Sequence, residues 1–233
     1  MAAFSGREDV IIHFFMKINT KSKKVNKAWL NDHVNDPWVQ LAQKEGYRAR
    51  AVYKLKEIDE TLRLIGPHDV VVDLGCAPGA WSQYLRRKQK SGQGSGEAKG
   101  LIVGVDLLEM APIDGVHFIQ GDFQDEAILQ ALQATLAGRA VDVVVSDMAP
   151  NLSGIASADA ARVENLIELA LDFAQHHLRP DGSMVAKVFH GAGYDNLVRK
   201  FRDTFVHSKP YKPKASRDRS AEVFLIGQKL RHP

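Results

Sequence analysis

Apolar residues recur along this chain in two alternating patterns. Short runs rich in β-branched residues predict buried strands at 69–74, 101–105, 116–119, 141–146 and 182–188. Helical spacing of apolar residues predicts helices near 79–89, 124–137, 160–178 and 194–203. Strands that alternate with helices in this way are typical of an α/β fold with a doubly wound, mostly parallel sheet.

The two ends of the chain extend this pattern. Strand candidates at 204–208 and 222–227 have no helix between them, so we expect an antiparallel addition at one end of the sheet. Helical spacing over 27–63 predicts two helices with Pro37 as the break between them. Residues 1–26 show little periodicity and predict a flexible basic arm. The remainder, 27–233, predicts a single domain with a low-complexity, flexible insertion at 88–100.

The segment from residue 70 to residue 83, VVVDLGCAPGAWSQ, reads as a strand, a tight turn and the start of a helix. Gly75 and Gly79 permit backbone angles and close approaches that a side chain would forbid. A helix N-terminus presents free N–H groups, and in parallel sheets such a turn forms a nucleotide-type pocket. Asp73 and Pro78 depart from the G-x-G-x-x-G pattern of dinucleotide sites, so a nicotinamide-dependent oxidoreductase is the disfavoured alternative.

Four aspartates, Asp73, Asp106, Asp122 and Asp147, each follow an apolar run. The carboxyl ends of parallel strands meet at one edge of a sheet, so we expect these carboxylates to line one crevice. Carboxylates accept hydrogen bonds from hydroxyl and amino groups. Asp106 is placed for ribose hydroxyls and Asp122 for an adenine amino group. For each aspartate taken alone, a turn or helix cap is the competing interpretation.

Two lysines stand in unexpected contexts. Lys187 interrupts the apolar strand SMVAKVF, and lysine is rarely buried without a partner, so this position is either at an edge or functional. Lys54 lies on the helix before the first strand, where a solvated side chain is the usual interpretation. Glu222 opens the last strand and resembles an ordinary charge at a strand end.

Charge is distributed unevenly, although the net charge is only +3. Residues 1–56 carry +6 and residues 199–233 carry +7, whereas residues 57–198 carry −10. Basic flanks around an acidic centre indicate that the ends meet a polyanion such as RNA, the alternative being a solvated face. The residues that we expect to contact RNA phosphates are Arg48, Arg50, Lys212, Lys214, Arg217 and Arg219.

The remaining composition excludes several classes of protein. A single cysteine excludes an internal disulfide and a multi-cysteine metal site, and the histidines show no metal-ligand spacing, so we expect no metal. No apolar run approaches the roughly 18 residues of a membrane helix. We therefore expect a monomeric, cytoplasmic protein without a membrane partner.

Several segments together resemble one known family. DLGCAPGAW resembles motif I of S-adenosylmethionine-dependent methyltransferases. With YRARAVYKLKEID, SDMAPNLSG, VAKVFHG and KPKASRDRSAEVF, it is similar to the RrmJ/FtsJ family, which methylates ribose 2′-hydroxyls of bacterial large-subunit ribosomal RNA. The resemblance runs from about residue 26 to residue 230. It implies a Rossmann-like methyltransferase fold, S-adenosylmethionine as the cofactor and a uridine of ribosomal RNA, within the large subunit, as the target.

The order Lys54, Asp147, Lys187, Glu222 matches the family's K-D-K-E catalytic tetrad. The resemblance implies that Lys187 or Asp147 takes the hydroxyl proton, and the sequence leaves both possibilities open. It implies that Lys54 holds the target nucleotide and that Glu222 positions the lysines.

The resemblance also implies contacts to the methionine part of the cofactor. Gly75, Gly79 and Trp81 are the candidates, with core packing as the alternative for Trp81. Methylation of transfer RNA and a non-catalytic RNA-binding role remain the competing functions.

Overall fold

The structure, a computed structural model, describes residues 35–91, 100–150, 154, 156–217 and 219–231. The predicted arm over 1–26 lies outside these residues. The helices of the described part are α1 Pro37–Lys44, α2 Val52–Leu62, α3 Ala80–Ser91, α4 Glu126–Leu136, α5 Ala156–His177 and α6 Tyr194–Thr204. Its strands are β1 Val70–Leu74, β2 Leu101–Asp106, β3 His117–Gln120, β4 Val141–Ser146, β5 Leu178–Phe189, β6 Phe205–Tyr211 and β7 Glu222–Leu230. All of them lie within one compact unit, Pro37–Pro233.

The strands form one seven-stranded sheet in the order β3-β2-β1-β4-β5-β7-β6. The pairs among β1 to β5 are parallel, and β7 runs antiparallel to both β5 and β6. The predicted mostly parallel sheet with an antiparallel addition is therefore confirmed. Without a crossover helix between β6 and β7, the chain can only return antiparallel. The strand order reverses between β1 and β4, which is where such sheets bind ligands.

Alternate residues of each strand pack against helices on opposite faces of the sheet. Val72 of β1 joins an apolar cluster with residues of α4, α5 and α6, such as Leu132, Leu171 and Phe201. Val71 joins a second cluster with residues of α1, α2 and α3. Because both faces are covered, the central strands are largely apolar, as the sequence pattern predicts.

The predicted helical region 27–63 contains a break that the sequence did not predict, and the predicted break at Pro37 stays a prediction because residues 27–34 are not described. Pro37 begins α1, a position where its missing N–H costs nothing. The helix ends before Gly46, whose φ of +69° belongs to the left-handed region that glycine adopts easily. The two described helices are therefore separated by residues 45–51, and residues 27–34 lie outside the description.

The predicted insertion at 88–100 also starts too early. Helix α3 continues to Ser91, and the Gln89 side chain is buried and donates a hydrogen bond to the Asp69 carbonyl at 2.9 Å. The polar sequence concealed this last turn, because among Lys88, Gln89 and Lys90 only the polar Gln89 is buried. Residues 92–99 lie outside the description.

Candidate active site

The turn between β1 and α3 packs against the segment that follows β4. Gly75 has a φ of +76°, and a Cβ atom there would lie 2.7 Å from the backbone nitrogen of Met148. Real Cβ atoms do not approach backbone so closely, so the turn requires glycine at this position. The close approach places the Gly75 backbone in the wall of a cavity.

This cavity has a volume of about 750 Å³ and lies at the carboxyl ends of β1, β2 and β4. Four of the predicted site residues line it, namely Gly75, Asp106, Asp122 and Asp147. Ligand pockets have volumes of roughly 300–1,000 Å³, so the cavity is large enough for a nucleoside-sized molecule. Three carboxylates in its wall make it suited to a ligand rich in hydroxyl and amino groups.

Backbone N–H groups hold the aspartate that ends β2 and the aspartate that follows β3. Asp106 accepts hydrogen bonds from the Ala77 N–H and the Leu108 N–H, each at 2.8 Å. Asp122 accepts one from the Gln124 N–H at 3.0 Å. Each carboxylate oxygen can accept more than one hydrogen bond, so both groups are oriented while keeping acceptor capacity for a ligand.

Asp73 differs from the other three aspartates, because it is completely buried and is not among the described residues that line the cavity. The expectation of four carboxylates in one crevice is therefore wrong for this residue. Its position in β1, before the turn, directs it toward α3, where the Ser82 hydroxyl donates to it at 2.6 Å. Burial, and then the charges of Asp147 and Asp106, raise the pKa of Asp73 to about 7.

Two other predicted cofactor contacts also lie away from the cavity lining that the structure describes. Trp81 is buried, donates its ring N–H to the Ala51 carbonyl at 2.8 Å and packs against Phe224, so it takes the core position that was its alternative interpretation. Gly79, with a φ of +104°, is enclosed by the Arg48, Met110 and Ile113 side chains.

The four residues of the K-D-K-E pattern form two ion pairs. Lys187 Nζ lies 2.9 Å from the Asp147 carboxylate and also donates to the Asp147 backbone carbonyl at 2.6 Å. Lys54 Nζ lies 2.6 Å from the Glu222 carboxylate. The side chains of both lysines are largely buried, at 9% exposed for Lys187 and 14% for Lys54.

Strand register explains why these residues meet. In the antiparallel pair of β5 and β7, Lys187 is opposite Phe224, and Phe189 is opposite Glu222. Opposite residues share a face of the sheet, so Lys187 and Glu222 lie on the same side. Helix α2 covers this side and places Lys54 Nζ 5.9 Å from the centre of the Phe224 ring. Strand pairing and helix α2 therefore bring together residues that are up to 168 positions apart in the sequence.

The Glu222 carboxylate is stabilised in its charged form. Burial opposes ionisation and is the largest single effect, but the charge and hydrogen bond of Lys54, the Ser216 hydroxyl and the charge of Lys187 together outweigh it. The net result is a pKa of Glu222 below its usual value. Ser216 donates to Glu222 at 2.8 Å and is itself buried. No sequence pattern singles out Ser216, because it lies in a basic loop.

Five of the six basic residues predicted to contact RNA lie in the loop between β6 and β7 or bind to it, and Arg48 does not. Lys212, Lys214, Arg217 and Arg219 are exposed in the loop that leads from β6 to β7 and to Glu222. Arg50 is partly buried and donates to the Ala215 carbonyl of the same loop. Arg48 points elsewhere, and its guanidinium donates to the carbonyls of Pro78, Ala111 and Pro112.

The structure adds cavity residues that the sequence did not single out. Leu107 and Leu108 are 58% and 68% exposed at the rim, directly after Asp106. Arg162 and Asn165 reach the cavity from α5. Two leucines directly after a strand-end aspartate could have been recognised in the sequence as candidate cavity residues. Polar residues on a long helix could not, because the sequence does not show which way they point.

Comparison with known proteins identifies the family. Residues 47–230 match the FtsJ-like methyltransferases. The chain belongs to the FtsJ-like methyltransferase family. A relative named ribosomal RNA large subunit methyltransferase E, from Paracidovorax citrulli (strain AAC00-1), is 64% identical over 217 residues, which cover 93% of this chain and all of that protein. One of the same name from Methylibium petroleiphilum (strain ATCC BAA-1232 / LMG 22953 / PM1) is 65% identical over 218 residues, covering 91% of this chain and 97% of that protein.

A solved structure supports the fold of this FtsJ-like methyltransferase. A crystal structure described as a ribosomal RNA methyltransferase from Plasmodium falciparum aligns with a TM-score of 0.69 at 26% identity, covering 79% of this chain and 98% of that one.

Within the described residues, no helix is long and apolar enough to cross a membrane. The same residues contain no group of three or more His, Cys, Asp or Glu side chains that could hold a metal ion.

Proposed function

We propose that this FtsJ-like methyltransferase transfers a methyl group from S-adenosylmethionine to a ribose 2′-hydroxyl of ribosomal RNA, with a uridine of the large subunit as the target. The observation that carries the proposal is the ion pair between Lys187 and Asp147, which lines the carboxylate-lined cavity, with a second ion pair between Lys54 and Glu222 on the same side of the sheet. Relatives that are 64% and 65% identical are named for ribosomal RNA of the large subunit. We propose that the protein acts in the cytoplasm and that it is a monomer.

The cavity fits S-adenosylmethionine by its size and by its acceptors. Asp106 would accept from the ribose hydroxyls and Asp122 from the adenine amino group, because both are oriented and retain acceptor capacity. The Gly75 backbone would face the methionine part of the cofactor. When bound, S-adenosylmethionine supplies the methyl group on a cationic sulfonium.

Methyl transfer to a hydroxyl requires alignment of the reactants and removal of the hydroxyl proton. A neutral lysine amine has two N–H donors and one lone pair. At Lys187, the Asp147 carbonyl accepts one donor at 2.6 Å, whereas the Asp147 carboxylate lies 2.9 Å away without accepting a hydrogen bond, so the lone pair of a neutral amine would remain available for the proton. We therefore propose that Lys187 is the base and that Asp147 orients it. Lys54, held by Glu222, would contact the target nucleotide.

Substitutions at Lys187 test this assignment. Loss of a positioned base costs at least ~100-fold, so we expect Lys187→Ala to lower the single-turnover rate by that factor while S-adenosylmethionine affinity changes little. Lys187→Arg separates the two proton routes, because arginine stays charged and cannot act as a base. We expect it to be as slow as Lys187→Ala. An arginine variant that retained substantial activity would transfer the role of base to Asp147.

The substrate is tested with the unmodified protein. It is incubated with radiolabelled S-adenosylmethionine and separate pools of large-subunit particles, free ribosomal RNA and transfer RNA, and the labelled ribose is mapped. Label in a uridine of large-subunit RNA is the expected result. Label confined to transfer RNA would reassign the substrate, and absence of label in every pool, despite cofactor binding, would favour a non-catalytic RNA-binding role.

A further inference from the structure

Arg48, between α1 and α2, joins parts of the chain that are far apart in sequence. Its Nη1 donates to the Pro78 carbonyl at 2.9 Å and to the Ala111 carbonyl at 2.7 Å, and its Nη2 donates to the Pro112 carbonyl at 3.0 Å. Its backbone N–H donates to the Gln83 side chain of α3 at 2.8 Å. A planar guanidinium with several N–H donors in fixed directions suits such a set of carbonyls.

The carbonyls that Arg48 joins belong to two chain segments, each of which contributes a wall to the cavity. Pro78 lies in the turn whose Gly75 and Ala77 line the cavity. Ala111 and Pro112 continue the segment that follows β2, whose Leu107 and Leu108 also line it. The spacing of these two walls therefore depends on a side chain that is not itself among the described lining residues.

The same spacing controls the orientation of Asp106. Its carboxylate accepts one hydrogen bond from the Ala77 N–H, in the first wall, and one from the Leu108 N–H, in the second. If the two walls moved apart, Asp106 would lose one of these donors. A change at Arg48 would thus reach the group proposed to bind the ribose of the cofactor.

The packing around Gly79 shows that the turn is shaped around the guanidinium. A Cβ atom at Gly79 would lie 2.7 Å from Arg48 Nη1 and 2.8 Å from Met110 Sδ. With a φ of +104° as well, the position accepts glycine and little else. Gly79 is therefore needed for the approach of Arg48, which explains why it stands in the turn without lining the cavity.

We propose that Arg48 is a positioning residue for the cofactor cavity, and that it acts by holding the turn after β1 to the segment after β2. This rests on the proposed binding of S-adenosylmethionine in that cavity. It replaces the sequence-based prediction that Arg48 contacts an RNA phosphate. The two roles differ chemically, because a phosphate contact needs only positive charge, whereas the bonds to three carbonyls need the arginine fork.

Arg48→Lys and Arg48→Gln distinguish these roles. The measurements are S-adenosylmethionine affinity by calorimetry, RNA affinity as a function of salt, and the free energy of unfolding in urea. We expect both variants to bind S-adenosylmethionine about tenfold more weakly or worse, as for the loss of hydrogen bonds from a charged group. We expect their RNA salt slopes to equal that of the parent, and kcat at saturating cofactor to be largely retained.

Arg86→Gln is the matched control. Arg86 lies on α3 and donates to the Asp114 carbonyl at 2.9 Å, so it holds the same segment further along without reaching the turn. We expect its cofactor affinity to stay within about twofold of the parent. If Arg86→Gln weakened cofactor binding as much as Arg48→Gln, the loss would reflect a general destabilisation of the segment after β2. That result would overturn the proposal.

Other outcomes also have a definite meaning. Unchanged cofactor affinity in folded Arg48→Gln would overturn the proposal. So would a salt slope lowered by about 0.7 in Arg48→Gln and retained in Arg48→Lys, which is the result for a phosphate contact. If the parent itself did not bind S-adenosylmethionine, the proposed function would fail, and that result is separate from failure at Arg48.

Discussion

At the scale of single residues, Asp73 shows how burial makes a carboxyl group sensitive to pH. The pKa of Asp73 is raised to about 7, whereas an aspartate in an unfolded chain titrates near ~3.9. Between these values the folded state binds a proton that the unfolded state has lost, so this residue lowers stability as pH rises from about 4 to about 7. Asp73→Asn removes the charge and keeps an acceptor for Ser82. We expect the variant to gain stability over the parent as pH rises.

The test is urea unfolding of Asp73→Asn and of the parent at about pH 4, 6 and 8. Across this range, the unfolding free energy of Asp73→Asn should increase relative to that of the parent. Asp203→Asn, at an exposed aspartate, is the control and should show no such trend. A constant difference for Asp73→Asn at all three pH values would show that folding does not raise the pKa of Asp73.

At the scale of elements, helix α2 connects the tetrad to the basic loop between β6 and β7. Glu57 lies one turn after Lys54 and accepts hydrogen bonds from the Tyr211 hydroxyl at 3.1 Å and from the Lys214 N–H at 2.8 Å. We expect Glu57→Ala to weaken RNA binding, because the loop loses its anchor. Charge alone predicts the opposite, since removal of a negative charge beside a basic loop should strengthen RNA binding.

Glu60→Ala provides the comparison on the same helix. Glu60 carries the same charge one turn further along and is exposed. We expect its loss to leave RNA affinity unchanged or slightly higher, measured by filter binding at fixed salt. Equal or tighter binding by Glu57→Ala would mean that the loop needs no anchor on α2.

At the scale of the whole molecule, the fold brings described residues of the two basic flanks together. Lys54 pairs with Glu222, which lies on the same side of the sheet as Lys187, and Lys187 pairs with Asp147 in the cavity wall. RNA across this edge would contact the exposed Arg217 and Arg219. We expect each alanine variant to lower the salt slope of RNA binding by about 0.7–0.9, with unchanged cofactor affinity.

Lys229→Gln is the control for this effect, because Lys229 is exposed at the other end of β7 from Glu222. Its salt slope should match the parent. If Arg217→Ala and Arg219→Ala also kept the parent slope and affinity, the loop would be a solvated face, and RNA would approach from another side.

The amino-acid sequence by itself determined the order of strands and helices, the parallel sheet and the turn at Gly75. These follow from apolar periodicity and from backbone freedom, which are properties of neighbouring residues. The tetrad also came from the sequence, through the resemblance to a family. The C-terminal end of α3 and the break between α1 and α2 were not predicted, because polar residues at a helix end contribute no apolar periodicity.

Only the tertiary structure decided which charged groups meet. It paired Lys187 with Asp147 and Lys54 with Glu222, and it separated Asp73, buried beneath the turn, from Asp106 at the cavity. It also directed Arg48 to backbone carbonyls and not to the exposed basic loop. The sequence shows only that an arginine or aspartate, if buried, needs hydrogen-bond or ion-pair partners. Which partners it finds depends on distances between segments that are tens of residues apart, and only the packed sheet and its helices set those distances.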